Sequence, residues 1–211
     1  MHDDTLLRAK LMALRKGEIL PGELYGLIHD FGHAKLPEAE PDVVALLDHP
    51  DSQIRTIAVR VLAFHWDISR DRDRLIRLLR DDPDYEVKSF TAAGLGFVFR
   101  NSHDPVVSQA LIKTIRDNDE DPYMRESAYD ALRQVWSPLN VDQDIADIKE
   151  EIRQAKESEK DLEAARSPEE FQSRLWVGTQ EKLLKIDWEF VERVEHTIQG
   201  RGSELGPLPT D

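Results

Sequence analysis

The sequence predicts an all-α protein, a solenoid of about four helix pairs with a C-terminal helical appendage. A hydrophobic residue followed by a basic one recurs at spacings of 33 and then 37 residues, in the pairs Ile54-Arg55, Val87-Lys88 and Met124-Arg125. Such a period is typical of solenoid proteins. Around each pair, an apolar helical run leads through a short acidic turn with proline into a second helix. No segment has the pattern of a strand.

The acidic turns carry signals for helix ends. Asp51, Asp84 and Asp121 precede the second helix of their copies, where an aspartate accepts hydrogen bonds from free backbone N–H groups and complements the helix dipole. The proline in each turn fixes φ and ends the first helix. Apolar residues then recur at helical spacing. Small residues on that face, such as Gly94, predict that the helices approach closely.

The pattern D-x-x-hydrophobic-Arg/Lys followed by A-x-x-A/G-L resembles the HEAT repeat. The form D-P-D-x-x-V-K-x-x-x-A-x-G-L, at residues 82–95, is similar to a short bacterial subtype also found in phycobilin lyases. The resemblance covers residues 41–138 and implies a right-handed α-solenoid of HEAT-like helix pairs. It also implies that Arg55, Lys88 and Arg125 pair with the turn aspartate of an adjacent repeat. The third copy departs from the pattern, because Pro122 follows its aligned aspartate.

The sequence predicts three regions. Residues 1–138 form the HEAT-like solenoid, in which 1–40 are a degenerate capping repeat and 41–138 hold three repeats. Residues 139–199 form a long charged helix, over 142–166, and further C-terminal helices. The tail, 200–211, contains glycines and prolines without apolar periodicity, and is predicted to be disordered.

His29 and His33 lie four residues apart on the second predicted helix, over 21–32. Two imidazoles at that spacing can share a metal ion. No glutamate follows His29 as in zinc proteases, and Gly32 predicts the helix end. The interpretation is therefore an exposed helix terminus, and neither a metal ion nor a cofactor is predicted.

Charge and composition narrow the classes of function. The net charge is −14, from 42 acidic and 28 basic residues, which disfavours a nucleic-acid surface and favours a basic partner. Solubility alone explains such a charge equally well. The chain has no cysteine, which excludes disulfides, thiol chemistry and cysteine-based zinc sites. We find no signal peptide or membrane span, and expect a cytoplasmic bacterial protein without membrane partners.

Aromatic residues recur in register within the copies. Trp66, Phe99 and Trp136 follow the hydrophobic residue of each pair by 12 residues, at about 110–120° from the centre of the apolar face on a helical wheel. Phe64 and Phe97 form a second column. Such residues either close gaps between stacked repeats, the commoner case, or line a binding groove. The candidate partner-binding residues are Arg60, Trp66, Phe97, Phe99, Glu126, Tyr129, Asp130, Arg133 and Trp136.

No recognisable arrangement of catalytic residues occurs. The predicted function is a non-enzymatic protein–protein interaction module or scaffold, as an inhibitor or immunity-type binder of a basic protein through a concave face. A partner that presents a helix or peptide fits the apolar groove. The alternative is a phycobilin-lyase-like protein that handles a chromophore or another small ligand. A HEAT-like enzyme acting on nucleic acid is disfavoured by the charge.

Overall fold

The structure is a computed structural model that describes residues 4–136 and 186–205. The long helix predicted over 142–166 lies outside them. Within the described residues all regular structure is helical, which confirms the predicted all-α class. The α-helices are α1 (Asp4–Arg15), α2 (Pro21–Ala34), α3 (Glu40–Ala45), α4 (Ser52–Arg60), α5 (Arg72–Asp81), α6 (Tyr85–Val98), α7 (Pro105–Arg116), α8 (Pro122–Trp136) and α9 (Trp188–Leu205). Two 3₁₀ turns (Pro37–Ala39, Leu46–Asp48) and one π-helical turn (Val61–His65) lie between them.

The chain divides into two compact units, an N-terminal unit (Met1–Phe99) and a C-terminal unit (Arg100–Asp211). Each has a core of fully buried aliphatic or aromatic side chains, whose burial is the main force that holds such helices together. In the N-terminal unit the largest are Ile28, Phe31, Leu47, Ile57, Leu62, Leu75, Leu79 and Leu95. In the C-terminal unit they are Leu111, Ile115, Met124 and Leu132.

Aspartates cap the second helices, as the sequence predicts. Asp51 Oδ1 accepts a hydrogen bond from the backbone N–H of Gln53 at 2.9 Å. Asp84 caps α6 in the same way, and Asp121 caps α8 by accepting from the Tyr123 N–H at 2.8 Å. These bonds satisfy backbone donors that have no partner inside the helix, so each helix start is fixed by a local sequence signal.

Arg55 joins two copies of the pattern, but through a different aspartate from the one the alignment implies. Its Nε and Nη2 donate to the two carboxylate oxygens of Asp82 at 2.7 and 2.8 Å, and its Nη1 donates to the carbonyls of His49 and Pro50. The aligned Asp84 is occupied with capping α6. Arg125 instead donates to the carbonyl of Ile115, at 2.9 Å, within its own copy.

Gly32 does not end α2, contrary to the sequence prediction. The helix continues to Ala34, and Lys35 closes it with a left-handed backbone, φ 49°. Gly32 is buried, and a Cβ atom there would lie 2.7 Å from Cγ2 of Val61. The glycine therefore serves close packing between α2 and the π-helical turn. Gly94 does the same on α6, where a Cβ would lie 2.9 Å from that of Ala63.

The segment after α4 is wound more loosely than an α-helix. The N–H of Trp66 donates to the carbonyl of Val61 at 3.0 Å, five residues back, which is the π-helical pattern. The wheel positions predicted for Trp66 and for the second aromatic column, which includes Phe64, assume 3.6 residues per turn. They do not apply beyond Arg60, because the π-helical turn changes the direction of the side chains that follow it.

Helix α9 begins at a cap and runs further than the sequence predicts. Asp187 Oδ1 accepts from the N–H of Phe190 at 3.0 Å. The helix passes Gly200, where the sequence predicts that a disordered tail begins, and continues to Leu205. Each glycine weakens a helix by about 1 kcal/mol, and here Gly200 and Gly202 together do not end it.

Candidate functional site

Four side chains of the N-terminal unit form what we call the aromatic face: Arg60, Phe64, Phe90 and Phe97. The rings of Phe64 and Phe97 lie 5.2 Å apart between centroids, and Phe64 is 37% exposed. The Arg60 guanidinium carbon lies 5.4 Å from the centroid of the Phe90 ring. Phe90 and Phe97 are about two helical turns apart, and thus share one side of α6.

Two other candidate residues of the N-terminal unit are more enclosed. Phe99 is 8% exposed, so its ring belongs to the core and offers little surface to a partner. Trp66 is half-buried, and its buried Nε1 has no hydrogen-bond partner. A buried donor without a hydrogen-bond partner costs about 1–3 kcal/mol of stability. Trp66 therefore remains among the candidate residues.

The aromatic candidates of the C-terminal unit are held by contacts within that unit. Tyr129 is 7% exposed, and its ring meets that of Phe190 edge to face at 6.1 Å. Trp136 Nε1 donates to Ser108 Oγ at 2.7 Å, and the indole stacks on His103 with centroids 4.6 Å apart. These contacts explain the positions of both aromatic side chains, and no binding partner is needed to explain them.

The charged candidates of the C-terminal unit all lie on α8. Arg133 and Asp130 form an ion pair of 3.9 Å with both side chains about half exposed, a geometry that contributes little to stability. Glu126 is half-buried. These residues place charge at the surface of the C-terminal unit.

A cavity of about 370 Å³ in the N-terminal unit was not predicted from the sequence. Lys35 and Asp67, which lie on its wall, both have left-handed backbones, with φ of 49° and 53°, an uncommon conformation outside glycine. Arg70 pairs with Glu40 at its edge. The lining residues are Lys35, Pro37, Glu40, His65, Trp66, Asp67, Ile68, Ser69 and Arg70.

Three imidazoles meet beside this cavity, and we call them the histidine cluster: His29, His33 and His65. The Nε2 atoms of His29 and His33 lie 3.1 Å apart. The ring of His65 lies 4.7 Å from that of His33 and 6.3 Å from that of His29, between centroids. The i, i+4 spacing indicates the first pair, whereas His65 joins from the π-helical turn, far along the chain.

The surroundings of His65 oppose its protonation. Burial lowers its pKa below the ordinary 6.5, and electrostatic interactions with His33, His29, Arg60 and Lys35 lower that pKa further. The folded chain therefore takes up this proton less readily than the unfolded chain does. Among the described residues, no three histidine, aspartate or glutamate side chains are placed to hold a metal ion together.

We expect the N-terminal unit to lose stability as the pH falls below about 6.5, because protonation of His65 then favours the unfolded chain. Above the unfolded pKa this contribution is fully present. The variant His65→Asn should show a smaller fall in Tm between pH 7.5 and 5.0 than the parent chain, by circular dichroism. Parallel Tm curves for the two proteins would refute the assignment.

No protein family, curated protein or solved structure matches the chain. The fold and the candidate site are therefore supported by this chain's own residues and their contacts. Within residues 4–136 and 186–205, no helix combines the length and apolar character that a membrane span requires.

Proposed function

We propose that this chain is a non-enzymatic protein-binding module of the HEAT-repeat solenoid type, and that the aromatic face takes up a basic protein partner. An inhibitor or immunity-type role is the form of this function that we favour. The observation that carries the proposal is the contact between Phe64 and Phe97, which leaves a large ring 37% exposed beside a second one.

The composition of the aromatic face suits a binding surface. Aromatic residues and arginine supply much of the energy at protein interfaces. Arg60 is already placed over Phe90, and Phe64 against Phe97. Side chains held in position before binding lose less conformational freedom when a partner docks, so more of the contact energy appears as affinity.

The net charge of −14 supports a basic partner rather than a nucleic acid. Negative potential steers positively charged proteins toward the surface and accelerates their association, an effect that salt weakens. The expected interaction thus combines a short-range aromatic contact with long-range attraction. Each part has its own test, because side-chain truncation removes the first and added salt weakens the second.

The double variant Phe64→Ala/Phe97→Ala should lower partner binding by at least about tenfold, since truncated hot-spot residues cost about 2 kcal/mol or more. The measurement is affinity capture from source lysate with the full chain, quantified by mass spectrometry at 50 and 300 mM salt. The expected result is one basic protein that the parent chain retains at low salt and the double variant does not.

Tyr85→Ala is the matched control, because Tyr85 is 66% exposed at the start of α6 and lies outside the aromatic face. It should retain the partner at the parent level. Equal capture by the parent chain and the folded double variant would refute the aromatic face as the binding site.

A second candidate function is the handling of a small ligand or chromophore, which the cavity of about 370 Å³ favours. Ligand sites in proteins have volumes of about 300–1,000 Å³. Trp66, on the wall of this cavity, has an indole N–H without a hydrogen-bond partner. Native mass spectrometry and a visible absorption band after incubation with a bilin distinguish this function from the first.

A further inference from the structure

The imidazoles of His29 and His33 are paired at a distance that also suits two ligands of one metal ion. Their Nε2 atoms face each other at 3.1 Å, so one nitrogen donates a proton and the other accepts it with its lone pair. Both rings belong to α2, one helical turn apart, so both nitrogens become available as ligands of one ion once the shared proton leaves.

The distance of 3.1 Å between the two nitrogens matches that between two ligands of one metal ion. Imidazole nitrogens bind Zn²⁺ at about 2.0–2.1 Å, so two of them lie about 3.3 Å apart at a tetrahedral angle and about 2.9 Å apart at a right angle. A metal ion can therefore replace the shared proton once the two rings turn their lone pairs toward it.

The pair lies next to a close helix contact, and its outer side is open. Gly32 packs on the π-helical turn so closely that an added Cβ would lie 2.7 Å from Cγ2 of Val61. His33 is exposed and His29 is half-buried, so solvent reaches the pair and can fill further coordination positions. Because both imidazoles lie on one helix, binding of the ion requires movement of side chains and not of helices.

We infer that His29 and His33 form a chelating site for one divalent transition-metal ion of the Zn²⁺, Ni²⁺ or Cu²⁺ type, with water in the remaining positions. Imidazole is a preferred ligand of these ions. His65 is a neighbour and not a ligand, since no three such side chains among the described residues are placed to hold one metal ion. With two protein ligands, the site binds more weakly than a closed four-ligand zinc site.

The test is isothermal titration of the full chain with ZnCl₂ and with NiCl₂ at pH 7.5. We expect one ion per chain, and at least a tenfold loss of affinity in His33→Asn and in His29→Asn. Binding should also weaken between pH 7.5 and 5.5, because protons compete for the same nitrogens. With Cu²⁺, the electron paramagnetic resonance spectrum of the parent chain should show two coupled imidazole nitrogens.

Two matched controls carry the same substitution at other histidines. His65 lies inside the histidine cluster, and His196 lies on the exposed side of α9. The zinc affinities of His65→Asn and His196→Asn should both be within about threefold of that of the parent chain. Absence of zinc and nickel binding by the parent chain, or unchanged binding by folded His33→Asn, would overturn the site. Loss of binding in His65→Asn would overturn the assignment of the two ligands.

Discussion

Replacing Arg55 with leucine should lower the free energy of unfolding by about 3–5 kcal/mol. Arg55 and Asp82 form a bidentate pair in which the side chains are only 10% and 2% exposed. The leucine variant leaves the Asp82 carboxylate buried without its counter-charge, and also leaves two backbone carbonyls without their donor. Urea denaturation followed by circular dichroism measures the loss.

Arg8→Leu is the control for this substitution, because the Arg8–Glu38 pair is 55% and 50% exposed. It should cost less than about 1 kcal/mol. The double variant Arg55→Leu/Asp82→Leu should recover part of the stability, since it removes both buried charges together. Equal losses for Arg55→Leu and Arg8→Leu would contradict a special role for the buried pair.

Replacing Gly32 with alanine should destabilise the N-terminal unit by about 1–2 kcal/mol. The new Cβ would lie 2.7 Å from Cγ2 and 3.2 Å from Cγ1 of Val61, and 3.3 Å from Cγ of His65. Valine is stiff at χ1 and cannot turn away, so α2 and the π-helical turn must separate. This cost exceeds the gain of about 1 kcal/mol that alanine brings to a helix.

Gly26→Ala provides the opposite expectation on the same helix. A Cβ at Gly26 meets no atom within 4 Å, so only the helix preference acts and stability should rise by up to about 1 kcal/mol. Thermal unfolding should therefore move in opposite directions for the two variants. A gain in both would show that α2 and Val61 have room to adjust.

The sequence predicts much of the local structure, because helix starts depend on nearby residues. Asp51, Asp84 and Asp121 cap the helices that they precede. The partner of Arg55 was harder to predict. Its turn contains two suitable aspartates, and only the three-dimensional arrangement shows that Asp84 caps α6 while Asp82 accepts the guanidinium.

Less of the candidate site could be predicted. The two aromatic columns suggested a surface, and Phe64 and Phe97 are in contact. In contrast, the cavity and the third histidine arise where segments distant in sequence meet, after a turn whose winding departs from the α-helix. Helical periodicity places residues only within one regular element, so it gives no signal for such a meeting.

The π-helical turn at Val61–His65 also has a consequence for how this chain changes over generations. Such a turn is equivalent to one extra residue in an α-helix, and each residue rotates the following side chains by about 100°. The loss of one codon at Val61, Leu62 or Ala63 would redirect Phe64, His65 and Trp66, but it would also remove a fully buried residue. A one-residue deletion therefore cannot reorient the two neighbouring surfaces without disturbing the core of the N-terminal unit.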